Sequence, residues 1–127
     1  MLKSPNLSWI QGRHFEYKAK QFLQQQGLQF ISRNVSFPVG EIDLVMKDQN
    51  TWVFVEVLSF RRHDNFGNAL MSVTLNKRKK LLAAAKLWLL KQNENIETAL
   101  CRFDICATTG NQFEWLPNAF IDYDAIH

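Results

Sequence analysis

The chain has 127 residues, 46% of them apolar and 21% charged, which excludes a disordered polypeptide and allows one domain, 1–127, with a real core. A net charge of +3 and a pI of about 9.0 permit a nucleic-acid partner without demanding one. The opening MLKSPNLSWI lacks the apolar core of a secretory signal, and the longest apolar run, LLAAAKLWLL, is too short for a bilayer and contains Lys86, so the expectation is a cytoplasmic protein with no membrane partner.

SWIQGRHFEYKAKQFLQQQG predicts a first helix. Phe15, Ala19, Phe22 and Leu23 recur at helical spacing, Ser8 suits the N-cap, and Gly27 suits the stop. LQFISRNVSF predicts a first strand, ended by Pro38 and Gly40. GEIDLVMKD and TWVFVEVL predict strands two and three around a turn in KDQNT. SVTLNKRKKLLAAAKLWLLKQN predicts a second helix, capped by Thr74, with Leu81, Leu82, Ala85, Trp88 and Leu89 as its apolar stripe. CRFDICATT alternates as a fourth strand. Its two cysteines, Cys101 and Cys106, are an odd number of residues apart, so they point to opposite faces and do not bridge. QFEWL suits a short fifth strand, and Pro117 suits the start of a last helical turn. The order α-β-β-β-α-β, with helices flanking a hairpin-bearing mixed sheet, suggests an α/β or α+β sandwich.

The hairpin poses a chemical problem. With Gln49–Asn50 as the turn, paired residues sum to 99. Ile42, Leu44 and Met46 then face Val57, Val55 and Val53, an apolar side. On the other side Asp43 faces Glu56, Val45 faces Phe54 and Glu41 faces Leu58. Two packed carboxylates this close cannot both stay ionised: one takes a proton or a cation binds, and Mg²⁺ or Mn²⁺ suits oxygen donors and water. A partly solvated sheet end, with both acids reaching water, explains the pattern equally well.

Three features weigh on that choice. Glu16 flanks the apolar face of helix one, with the small Gly12 one turn earlier. Lys77, Arg78, Lys79 and Lys80 crowd the start of helix two, where cations oppose the helix dipole unless an anion such as phosphate is the partner. The long segment SFRRHDNFGNALMS follows strand three and carries Arg61, Arg62 and His63, as a flap over a substrate would.

GRHFEYKAKQFL, SRNV, GEIDLV, VFVEV, the basic start of helix two, RFDICA and NAF occur in order along nearly the whole chain. With these motifs the chain resembles the YraN-like family of predicted endonucleases. That family is similar in turn to archaeal Holliday-junction resolvases and to the PD-(D/E)XK nuclease superfamily. The resemblance implies a restriction-endonuclease-like core and a divalent-metal-dependent endonuclease acting on DNA, including branched DNA. It implies that Asp43, Glu56 and the backbone carbonyl of Val57 hold Mg²⁺ or Mn²⁺, with Glu16 as the helix-one acid. DNA contacts are expected from Arg61, Arg62, Lys77, Arg78 and Lys79. A homodimer would suit a two-fold symmetric junction.

Two departures stand out. Leu58 occupies the position where the family carries a lysine or arginine, so the catalytic cation must come from elsewhere, with Arg61, Lys18 and Lys77 as candidates. Phe15 stands before Glu16 where the family carries glycine. The alternative is a catalytically inactive DNA-binding module of the same fold. A protein-interaction subunit with no nucleic-acid role is a third reading.

Overall fold

The computed structural model describes residues 7–60, 72–109 and 112–120, with side chains from residue 14 onward. Arg61, Arg62, His63 and the surroundings of Gly12 lie outside that description. In chain order the elements are α1 (Leu7–Gln25), β1 (Gln29–Phe37), β2 (Gly40–Asp48), β3 (Thr51–Ser59), α2 (Leu75–Lys91), β4 (Cys101–Thr109) and β5 (Gln112–Phe120). The five strands form one mixed α/β sheet in sequence order. Only β3 and β4 run parallel, which requires the long crossover that contains α2.

Local chemistry accounts for most boundaries. Helix α1 ends where Gly27 takes φ +103. The Leu28 amide donates to the Leu23 carbonyl at 3.1 Å and the Gly27 amide to that of Gln24 at 3.0 Å, a glycine-terminated cap. Helix α1 already includes Leu7, so Ser8 sits inside it rather than capping it. Helix α2 begins as expected: extended Thr74 accepts the Lys77 amide on its hydroxyl at 3.2 Å.

The sheet is covered on both faces. Ala19, Leu23 and Leu28 pack with Leu44, Met46, Val53, Val55 and Cys106 on the α1 side. Leu81, Ala84, Ala85 and Leu89 pack with Val45, Phe54, Ile105 and Ala107 on the α2 side. Fully burying each of these large side chains contributes roughly 1.5–3 kcal/mol before chain entropy is subtracted. Cys101 belongs to the α2 side and Cys106 to the α1 side, and neither forms a disulfide. Burial, and then the charge of Asp104, push the Cys106 thiol up to about 12, so it is inert at neutral pH.

The end of the chain differs from expectation. Pro117 opens no helix; it lies within β5, a full strand at the sheet edge. An edge strand tolerates a residue with no N–H to donate. The register slips between Phe103–Phe120 and Ile105–Leu116, and Asn118 takes φ 52 in the resulting bulge. Among the described residues no helix is long and apolar enough to cross a membrane.

Candidate functional site

The β2–β3 hairpin has the register that sums to 99, from Asp48–Thr51 up to Leu44–Val55. There the ladder stops, and the expected pairs Asp43–Glu56, Ile42–Val57 and Glu41–Leu58 do not form in the ladder, although the two acids still lie side by side. Strand β2 follows β1 to Phe37–Gly40, while β3 follows β4 to Ser59–Thr108. The sheet forks. Ile42 also changes sides: it packs with α2, whereas Leu44 packs with α1. Asn34, at φ 51 between the partners of Leu44 and Ile42, turns β1 where this reversal occurs.

Asp43 and Glu56 sit in the fork. The Val57 amide, which has no β2 carbonyl to reach, donates to Asp43 Oδ2 at 2.8 Å. Burial raises the Asp43 carboxyl to about 6 against the pull of that hydrogen bond, and the charge of Glu41 adds to the rise. Burial raises Glu56 further, to about 8; the charge of Asp43 adds to this, and that of Glu16 adds a smaller push. Burial and mutual repulsion thus raise both carboxyls, and the two, joined by a hydrogen bond, hold a proton more readily than either would alone. Lys77 opposes both shifts.

Asp43, Glu56, Lys77 and Lys80 line a pocket of about 400 Å³ between the first turns of α2 and the β1–β2 turn. The turn comes close because of Gly40, where any Cβ would strike the Lys80 carbonyl.

The other candidates separate. Lys18 lines a different groove, with Phe22 and Phe113. Arg78 turns away from the acids: its Nε donates to the Val73 carbonyl at 3.0 Å and its guanidinium lies 5.2 Å from the Phe120 ring. Lys79 is exposed on α2 and does not line the pocket. Leu58 packs into the apolar cluster under α2, which leaves no charge at that position. Of the proposed substitute cations, Lys77 is the one among the described residues that stands beside both carboxylates.

The donor set suits a hard cation that keeps much of its water. Among the described residues no group of three or more histidine, cysteine or acidic side chains forms a complete cage. Asp43 and Glu56 could offer two oxygen donors to a hard cation that keeps the rest of its shell as water. Their raised pKa values mark a place short of one positive charge.

A second polar cluster escaped the sequence reading. Asp104 is fully buried on β4. It accepts from Arg102 Nε at 3.1 Å, from the Trp115 indole at 2.9 Å and from the Asn118 amide at 2.8 Å, while Arg102 also pairs with Asp48 at 2.9 Å. This cluster fastens β5 and the hairpin end to β4. An aspartate in an otherwise apolar alternation was the signal for it.

Residues 15–108 match the family described as Uncharacterised protein family UPF0102. A UPF0102 protein of Photorhabdus laumondii is 58% identical over 113 residues, 89% of each chain. UPF0102 proteins of Yersinia enterocolitica and Yersinia pseudotuberculosis are each 51% identical over 109 residues, 86% of this chain and 92% of theirs.

Proposed function

The chain belongs to the UPF0102 family, and on that premise we propose that it is a divalent-metal-dependent endonuclease of DNA with a restriction-endonuclease-like core. The observation that carries this reading is the proton-sharing pair Asp43–Glu56 at the sheet fork, with Lys77 beside it. The pair is half-buried, short of positive charge and open to a pocket.

Mg²⁺ or Mn²⁺ held there would supply Lewis-acid chemistry for phosphodiester hydrolysis. Asp43, oriented by the Val57 amide on one oxygen, offers the other as a ligand. Glu56, its proton lost to solvent, would be the second ligand, and the Val57 carbonyl would complete the protein's share. Glu16 keeps the local field negative. Lys77, in place of the missing side chain at Leu58, stabilises negative charge that grows on the phosphate in the transition state. Lys79 and Lys80 hold flanking phosphates without reading bases. Branched DNA as substrate, a homodimer on two-fold symmetric junctions and a cytoplasmic location complete the proposal.

The test is a Mg²⁺ and Mn²⁺ cleavage screen on duplex, flap, single-stranded and four-way DNA, with Glu56→Gln as control. Metal-dependent nicking that Glu56→Gln abolishes supports the reading. The second reading, an inactive DNA-binding module, is favoured by the apolar, half-buried Leu58 packed against the core. Salt-sensitive binding without cleavage would select it.

A further inference from the structure

The pocket beside Asp43 and Glu56 has two unlike walls. One side carries Lys77 and Lys80. The other is the β1–β2 turn, with Phe37, Pro38 and Val39. Val39 is 47% exposed, and Lys91 Nζ lies 5.0 Å from the Phe37 ring. Gly40 lets the turn close directly onto the Lys80 backbone, so the apolar wall and the basic wall form one unit. The volume, about 400 Å³, is at the small end for a ligand pocket, room for one nucleotide and none for a duplex.

An intact duplex presents phosphates and sugar edges outward and keeps its bases stacked inside. Bound over this pocket, it would satisfy the lysines and leave the Val39 wall against water and phosphate. A nucleotide drawn out of the stack covers that wall with its sugar and base while its phosphate meets Lys77 and Lys80. Unstacking costs a few kcal/mol in a paired strand and least where the nucleotide is already unpaired.

We propose that this pocket takes a single unstacked nucleotide next to the scissile phosphate, with Val39 as a specificity-determining residue, so that the substrate class is DNA containing an unpaired or frayed nucleotide. The proposal rests on the nuclease reading above and adds to it the feature of the substrate that is selected. The carboxylates act on the phosphate, and the turn selects the strand geometry that delivers it.

The experiment compares two DNAs of one sequence, a perfect duplex and the same duplex with one unpaired 2-aminopurine. Binding is measured in Ca²⁺, which keeps oxygen ligation while relaxing the octahedral geometry Mg²⁺ demands. Cleavage of both DNAs is measured in Mn²⁺. The proteins are wild type, Val39→Ser and Val39→Ile. Wild type should bind the unpaired DNA about tenfold more tightly, the scale of one base contact, with a change in 2-aminopurine fluorescence. Val39→Ser should lose that preference while keeping its duplex affinity, and Val39→Ile should keep it. Because Val39 is an exposed turn residue, a thermal melt should be unchanged in both variants. Equal wild-type binding to the two DNAs, or a full preference retained by Val39→Ser, overturns this inference alone if Mn²⁺-dependent cleavage is present. Absence of both binding and cleavage on either DNA overturns the nuclease reading with it.

Discussion

The Val57 amide donates to Asp43 Oδ2 at 2.8 Å across the point where β2 and β3 stop pairing. In a continuous ladder that amide would be spent on a backbone carbonyl and the acid would project from a closed sheet. The fork frees the amide to orient the carboxylate and opens a gap for Glu56 and Lys77 to share.

The acid pair should make metal-free protein less stable as pH rises. Both carboxyls have folded values, about 6 and about 8, above their ordinary 3.8 and 4.5. Their contribution is fully present below about pH 4 and is lost as pH climbs through 6 and then 8. Glu56→Gln removes the larger part. Thermal melts from pH 4.5 to 9 in chelator should show wild type falling below Glu56→Gln at high pH, by at least about 4 °C, near 1 kcal/mol. Parallel curves would remove the pair as the source.

Mn²⁺ binding should release a proton. The acid pair holds a proton above the ordinary carboxylate range and must give it up to ligate the ion. Calorimetry in two buffers of different ionisation enthalpy should give about one proton per ion, and Asp43→Asn should abolish the binding. Unchanged binding by Asp43→Asn would put the ion elsewhere.

Lys77→Ala should lower Mn²⁺-dependent cleavage by about 10²–10³-fold with little effect on folding, since Lys77 is exposed on the first turn of α2. Lys79→Ala should weaken DNA binding only slightly and uniformly. Leu58→Lys, placed in the Lys77→Ala background, should restore part of the rate, because that side chain would reach the same phosphate from β3. Equal rates for wild type and Lys77→Ala would reassign the cation.

Gly40→Ala should act at a distance from the chemistry. Its methyl would press on the Lys80 carbonyl and push the β1–β2 turn off α2. Overpacking of this kind costs about 1–3 kcal/mol. The expected result is a lower melting temperature together with weaker Mn²⁺ binding. A lower melting temperature with unchanged affinity would show that the turn does not support the acids.

Asp104→Ala should destabilise without touching the site. It strands the Trp115 indole and the Asn118 amide and leaves Arg102 with Asp48 alone, and breaking a buried charge network costs about 3–5 kcal/mol. Denaturant titration should show the loss, while Mn²⁺ affinity of the remaining folded protein stays near wild type.

Much of what depended on near neighbours was legible in the chain, the start of α1 excepted, where Ser8 lies inside the helix. Alternation in GEIDLVMKD and WVFVEVL carries the hairpin register, Gly27 ends α1 because only glycine takes φ +103 without strain, and Thr74 caps α2 because its hydroxyl reaches three residues on. The nearness of Asp43 to Glu56 could be anticipated from that register, although the ladder ends at Leu44–Val55, one pair short of them. Long-range competition settled the rest. Strand β2 chose β1 over β3 beyond Leu44, which split the ladder and moved Ile42 to the α2 side. Pro117 entered a strand because an edge position asks for no N–H there. Lys77 reached the acids while Arg78, one residue later, was claimed by Val73 and Phe120 on another side of the same helix. A helix turns each successive residue by about 100°. Which lysine serves the carboxylates is therefore set by how α2 docks on the sheet, and docking depends on the packing of its buried leucines against β-strands far away in the chain.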